Sequence, residues 1–323
     1  MKLHASLLSL ISLVALPLAS IAVQPAGGTT TPTIGFGGTA IPGGAQATTF
    51  VISTSGSYYL AGDRIMTADV NAITVSAPDV TIDLNGCTVS FSGGAAANGI
   101  EIPAVSNVEI RNGSINDVPR DAIKALGGSG LRIIDVRVTT AGKNGVYSTA
   151  AMTSVDRSDI SLCGNIGVYV LSAPSAKVTN SRVFKCNQGF VLALVPNGEI
   201  SNCHARENQQ SGIWTNDSGC LISNNVVSQN NLSKLVNEGG IIITWGQSTV
   251  RGNVVTGNHS KGIVANFSSV IEGNSISGTD SAGQVVGAAI NGHYSNPSLY
   301  VNNRIHGGAV SAGLVNGGGN LIF

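Results

Sequence analysis

A small residue followed by an apolar one recurs along this chain at a nearly fixed interval. The pairs are Gly99-Ile100, Ala122-Ile123, Gly145-Val146, Gly167-Val168, Gly189-Phe190, Gly212-Ile213, Gly240-Ile241, Gly262-Ile263 and Ala288-Ala289. Successive starts lie 23, 23, 22, 22, 23, 28, 22 and 26 residues apart. Such a period is too short for a propeller blade. Sustained over this length, it predicts a solenoid whose units bury their apolar residues only by stacking on one another.

Two further columns repeat inside each unit. One runs Ile110, Ile133, Val155, Val178, Ile200, Ile222, Val250 and Ile271. The other runs Ile115, Val138, Ile160, Val183, Ala205, Val227, Val255, Ile276 and Ile305. An Asn-rich turn separates them: Asn112, Asn180, Asn202, Asn224, Asn253, Asn274 and Asn303. Asn tolerates the left-handed backbone of a sharp bend, and its amide can bond the rung above or below. Each unit therefore reads as three short strands with alternating inward and outward side chains. The expected fold is all-β, a parallel β-helix of about ten coils with three strands per coil. Leucine-rich repeats share the period, but their L-x-x-L-x-L spacing is absent and β-branched residues fill the core columns.

The motif N-x-V…(G)-I-x-I, as in NVEIRNGSI…DAIKAL and AKVTNSRV…GFVLAL, resembles that of the right-handed parallel β-helix, or pectin-lyase-like, superfamily. The resemblance covers roughly Ile73 to Ile305. It implies the fold and not one activity, because the superfamily holds lyases, hydrolases, epimerases, tailspikes and adhesins. The Asp-Asp, Gly-His-Gly and Arg-Ile-Lys motifs of polygalacturonase-type hydrolases are absent. So are the Asp-Pro-His of alginate epimerases and the acidic calcium constellation of pectate lyases; no cofactor is expected, and calcium stays open as the one alternative although the sequence shows no ligand constellation for it.

Residues 1–22 read as a signal peptide, with Lys2, an apolar run from Leu7 to Leu18 too short to span a bilayer, and Ser20-Ile21-Ala22 at the cleavage site. A secreted, periplasmic or cell-surface protein without an integral membrane segment is expected. Residues 23–47 read as a flexible Gly/Thr/Pro-rich leader, 48–98 as an irregular capping coil and 99–305 as regular coils within a domain spanning 48–323. Five cysteines, Cys87, Cys163, Cys186, Cys203 and Cys220, include no Cys-x-x-Cys. Cys163 and Cys186 fall on adjacent coils, as a buried thiol stack or a disulfide. With 17 acidic and 17 basic residues, the chain offers no electrostatic footprint for nucleic acid.

On the first strand of each unit one outward column reads Glu101, Lys124, Tyr147, Tyr169, Val191, Trp214, Ile242, Val264 and Ile290. A second, at the strand's end, includes Asp217, Trp245, Phe267 and His293. Aligned aromatics suit the C–H faces of sugar rings, and Asn216, Thr244 and Asn266 can bond hydroxyls, so a polysaccharide is the expected partner. The rival reading is an outer satellite of the core. Two longer units add residues at Asn231–Glu238 and Thr279–Val286, and insertions in solenoids tend to lie on the binding side.

The densest charges lie beside this column. For β-elimination on a uronate glycan, Arg120 or Lys143 can neutralise the carboxylate, Lys124 can be the base and Tyr147 the acid, with Glu101, Asp121, Tyr169, Trp214, Asn216 and Trp245 contacting substrate. The alternatives are solvated ion pairs, or a non-catalytic adhesin-like module using the same face. Arg137, Asp159, Arg182 and His204 read as a structural charge ladder, and His259 with Lys261 as a further candidate pair.

Overall fold

The structure, a computed structural model, describes residues 37–280, 288–292, 296–311 and 313–323. The signal-peptide reading, residues 23–36 of the leader, His293 and residues 281–286 of the second insertion lie outside the described residues.

The chain winds into a parallel β-helix with three files of short strands. One file is a separate twelve-stranded sheet, and the other two join into a twenty-four-stranded sheet. They join because Val108–Val118 and Arg132–Ala141 run unbroken around the corner that turns elsewhere divide. All strand pairing is parallel, and each strand bonds the equivalent strand of the next coil. Among the described residues no helix is long and apolar enough to cross a membrane.

The inward columns stack in register. One runs Ile82, Ile110, Ile133, Val155, Val178, Ile200, Ile222, Val250, Ile271 and Tyr300. The other runs from Val89 through Ile115 to Ile305. With the first file they form one continuous core. Fully burying each Ile or Val contributes about 1.5–3 kcal/mol, and β-branched chains suit the pleated surface.

The stack starts earlier than the sequence implies. Thr39–Ile41 and Gly44–Gln46, read as leader, are strands paired to Gly56–Leu60 and Arg64–Met66. The coil at 48–98 is also in register with its successors, so it is not irregular. Arg64 anchors this end. Its guanidinium is buried and donates to the carbonyls of Ala72, Pro42 and Thr48.

The Asn turn resolves into two columns. Asn112, Asn180, Asn202 and Asn224 take φ of 58°, 52°, 55° and 56°, where the bend is left-handed. Gly252 and Gly273 fill that place in later coils, with φ of 64° and 62°. Asn253, Asn274 and Asn303 sit one residue further on, buried inside the corner. They are not bend residues. With Asn225 and Asn320 they form an amide ladder, each Nδ2 donating to the next Oδ1 at 2.9–3.1 Å.

The other corner repeats the device with Asn208, Asn230 and Asn258. Cys186 and Cys163 extend it. The Cys186 amide donates to Asn208 Oδ1 at 3.0 Å, and the Cys163 amide to Cys186 Sγ at 3.4 Å. All five cysteines are free thiols. Burial pushes the Cys203 thiol up to about 12, which keeps it protonated and inert.

Candidate functional site

Charges on the twenty-four-stranded sheet are largely paired between rungs. Arg132 bonds Glu109, Arg182 bonds Asp159, Lys177 reaches Glu199 at 3.6 Å and Lys185 reaches Glu207 at 3.7 Å. Arg137, Asp159, Arg182 and His204 align as the charge ladder requires. The twelve-stranded sheet differs, because its outer face carries aromatics and apolar residues.

The register there runs Glu101, Lys124, Tyr147, Tyr169, Val191, Trp214, Ile242, Val264 and then Asn291. Ile290 is not on this outward file. It pairs with Ile263 and points into the core, because Ala289-Ile290 and not Ala288-Ala289 is the equivalent of Gly262-Ile263.

The charged end of the file is tightly paired. Lys124 Nζ lies 3.2 Å from Glu101 Oε1, with side-chain exposures of 20% and 22%. Asn71 Nδ2 donates to the other oxygen of Glu101. Lys124 therefore stands as a hydrogen-bond donor, and a base role requires this pair to open. Arg120 and Lys143 occupy adjacent rungs of the preceding corner, where the Lys143 amide donates to the Arg120 carbonyl at 3.0 Å. Lys143 is exposed, and Arg120 is half-buried with its Nε unpartnered among the described residues. Asp121 is buried in the corner and engaged with the next rung. It is 4% exposed, and its carboxylate accepts the Asn144 amide at 3.1 Å and Asn144 Nδ2 at 2.7 Å.

Tyr147 and Tyr169 meet with ring centroids 5.4 Å apart and planes tilted by 53°. Burial, helped by neighbouring Tyr147, raises the Tyr169 phenol above its ordinary range. Beyond them Ile166, Val191 and Ala193 form an apolar cluster outside the coil, with Tyr169, Leu171 and Trp214 packed against it. The aromatic column is thus partly platform and partly satellite core.

The file then enters a cleft of about 400 Å³. Ile242 and Val264 floor it, and Trp214, Asn237, Glu238, Lys261, Asn266 and Asn291 surround it. The Asn231–Glu238 insertion supplies one wall. Asn231 is buried and ties the loop into a turn: its Nδ2 donates to the Leu235 carbonyl at 2.8 Å and its Oδ1 accepts the Leu235 amide at 2.9 Å. The turn delivers Glu238 just before Gly239, which pairs with Lys261 on the next coil. Glu238 Oε2 is buried without a hydrogen-bond partner among the described residues. Burial pushes this carboxyl above the usual range, opposed in part by hydrogen bonds from Ser211.

Trp245 and Asn216 lie apart from the cleft lining. Trp245 is 62% exposed and stacks on Phe267, centroids 4.9 Å apart. Asn216 Oδ1 accepts the Leu194 amide at 2.6 Å. Of the His259–Lys261 pair, Lys261 reaches the cleft. Sequence reasoning placed the insertion on the binding side but gave Glu238 no role; its position inside a length anomaly was the available signal.

Residues 98–255 match the family model described as the right handed beta helix region. No curated protein matches the sequence. Among solved structures, the chain is similar to a variant of the periplasmic alginate epimerase AlgG, with a TM-score of 0.64 and 12% identity over 86% of this chain and 77% of that one. It is similar to a mannuronic-acid-specific family 6 polysaccharide lyase from the human gut microbiota, with a TM-score of 0.59 and 11% identity over 86% and 77%. The enzymatically active domain of tailspike protein 2 of bacteriophage CBA120 gives 0.60 and 13%, over 73% of this chain and 44% of that one. At these identities the likeness is one of fold. The chain folds as a right-handed parallel β-helix, the architecture that it shares with these structures.

Proposed function

We propose that this is an exported protein that binds a polysaccharide along the outer face of its twelve-stranded sheet and cleaves an acidic, uronate-containing glycan by β-elimination. One observation carries the reading: the outward file from Lys124 through Tyr147, Tyr169 and Trp214 continues without a break in register into a polar-walled cleft. A hydrophobic strip flanked by amides and a cation matches a chain of sugar rings bearing hydroxyls and carboxylates. The solved neighbours named as an alginate epimerase and a polysaccharide lyase support a glycan partner. Export rests on the reading of residues 1–22.

A second reading, a non-catalytic glycan-binding module, draws on the Lys124–Glu101 pair, which occupies the base assigned from sequence. Both readings predict that Trp214→Ala weakens binding to acidic glycans by about tenfold or more, as expected when an aromatic anchor is lost. Isothermal titration against a panel of uronans checks this. Unchanged affinity removes the aromatic file as the binding surface. Ultraviolet absorbance of unsaturated uronate products separates the two readings.

A further inference from the structure

We propose that the cleft under the Asn231–Glu238 loop is a catalytic centre for uronate elimination, in which Lys261 holds the substrate carboxylate and Glu238 carries the proton. This rests on the glycan-binding reading and moves its chemistry five to six coils along the stack from Lys124.

Position argues first. The insertion is where the chain departs from its period, and it bends over the aromatic file instead of away from it. Its own turn, closed by Asn231, fixes where Glu238 emerges. The adjoining Gly239 is in register with Lys261, so carboxyl and ammonium enter the same cleft from neighbouring rungs. They do not make an ion pair with each other, and Lys261 has none among the described residues. Space between an acid and a cation that share a cleft without neutralising one another is where a charged ligand group fits.

The state of Glu238 argues second. A buried carboxyl oxygen without a partner is costly unless a ligand completes it. Its raised proton affinity suits a group that must both take and return a proton. The lining argues third. Glu238 is the one carboxylate among the described side chains of the cleft. Glycoside hydrolysis takes two carboxyls flanking the bond, so a single carboxyl beside a cation favours elimination.

The step balances on one residue. The Glu238 carboxylate removes the C5 proton of the uronate. The C5–H electron pair becomes the C4=C5 double bond, and the C4–O4 bond breaks with its pair going to O4. Glu238 returns the proton to O4, leaving an unsaturated uronate end, a new hydroxyl end and an ionised Glu238. Lys261 stabilises the charge that develops on the substrate carboxylate as C5 loses its proton. Trp214 offers a ring face beside the reacting sugar, and Asn266 and Asn291 offer amides to its hydroxyls.

The test uses the full chain with alginate and polygalacturonate. It follows ultraviolet absorbance of the unsaturated product, with binding measured separately by titration and folding checked by circular dichroism. Glu238→Gln is expected to cut kcat by about 10²-fold or more while affinity changes little. Lys261→Ala is expected to raise KM and Kd about tenfold or more, with Lys261→Arg recovering part of the loss. A folded Glu238→Gln protein that retains turnover within a few-fold of wild type overturns the assignment. Wild-type protein that binds a uronan but releases no unsaturated product also overturns it, and leaves the binding reading standing. Wild-type protein that binds neither polymer overturns both.

Discussion

At the scale of single residues, the outer faces show how a weakly charged chain uses its few ions. Asp156 is the clearest case. Burial alone would push its carboxyl up. Thr179 Oγ1 donating at 2.7 Å, Asn180 Nδ2 donating at 2.8 Å and the charge of Arg157 outweigh that, so it titrates below its ordinary range. A carboxyl depressed in the fold adds stability above its unfolded value, near pH 4, and loses it as pH falls through the folded value. Asp156→Asn should therefore be less stable than wild type at pH 7, by about 1–2 kcal/mol. The gap should close as pH falls through and below the Asp range. Urea midpoints at the two ends of that window check it, and a gap that persists in acid would assign the effect to packing. Glu238 titrates in the opposite sense: its ionisation opposes folding as pH rises, which a bound cationic or hydrogen-bonding partner would relieve.

At the scale of elements, the corners carry the specificity that identical β-branched strands lack. Stacked Ile and Val columns accept many neighbours, whereas an amide ladder accepts only the rung that completes it. Asn253 sits mid-ladder. Its Nδ2 donates to Asn274 Oδ1 at 2.9 Å and to the Ile222 carbonyl at 3.0 Å, and its Oδ1 accepts the Asn225 amide at 2.9 Å. Asn253→Ala leaves buried groups on both sides unsatisfied and should cost about 2–4 kcal/mol. Asn253→Ser should cost less. Ser158 and Ser181 hold the same column in earlier coils, where the Ser158 amide donates to Ser181 Oγ at 3.1 Å. Denaturant unfolding of the two variants checks the order, and equal losses would show that volume matters more than the hydrogen bonds. The strand columns were legible in the sequence because burial selects one chemistry at each repeat. The two Asn columns were not separable, since a left-handed bend and a buried ladder select the same residue for different reasons. Glu238 was less legible still. Its role depends on a loop folding back over another coil, and periodicity is silent where the period breaks.

At the scale of the whole molecule, near-identical coils joined only to their neighbours make the stack divisible. Residues 167–188 form one such unit of 22 residues. Gly167 and Gly189 occupy equivalent positions, and Ile166 pairs with Gln188. Removing Gly167–Gln188 therefore brings Val146 against Phe190, Val155 against Ile200 and Ile160 against Ala205, all inward-facing pairs that keep the core continuous. The corner closes too, because Asn208 Oδ1 can accept the Cys163 amide in place of Cys186 Sγ. The deletion should fold into a stack shorter by about 4.8 Å, with an unchanged β-type circular dichroism spectrum and a smaller maximum dimension in X-ray scattering. Removing Val168–Gln188 instead, one residue fewer, leaves Gly167 ahead of Gly189 at the entrance to a paired strand, where the junction must either slip by one or expel the extra glycine as a bulge. A slip would turn that strand's buried side chains outward and a bulge would break its ladder, so this protein should be less stable than the 22-residue deletion. If both deletions were equally stable, register at this junction would contribute nothing measurable to holding neighbouring coils in line.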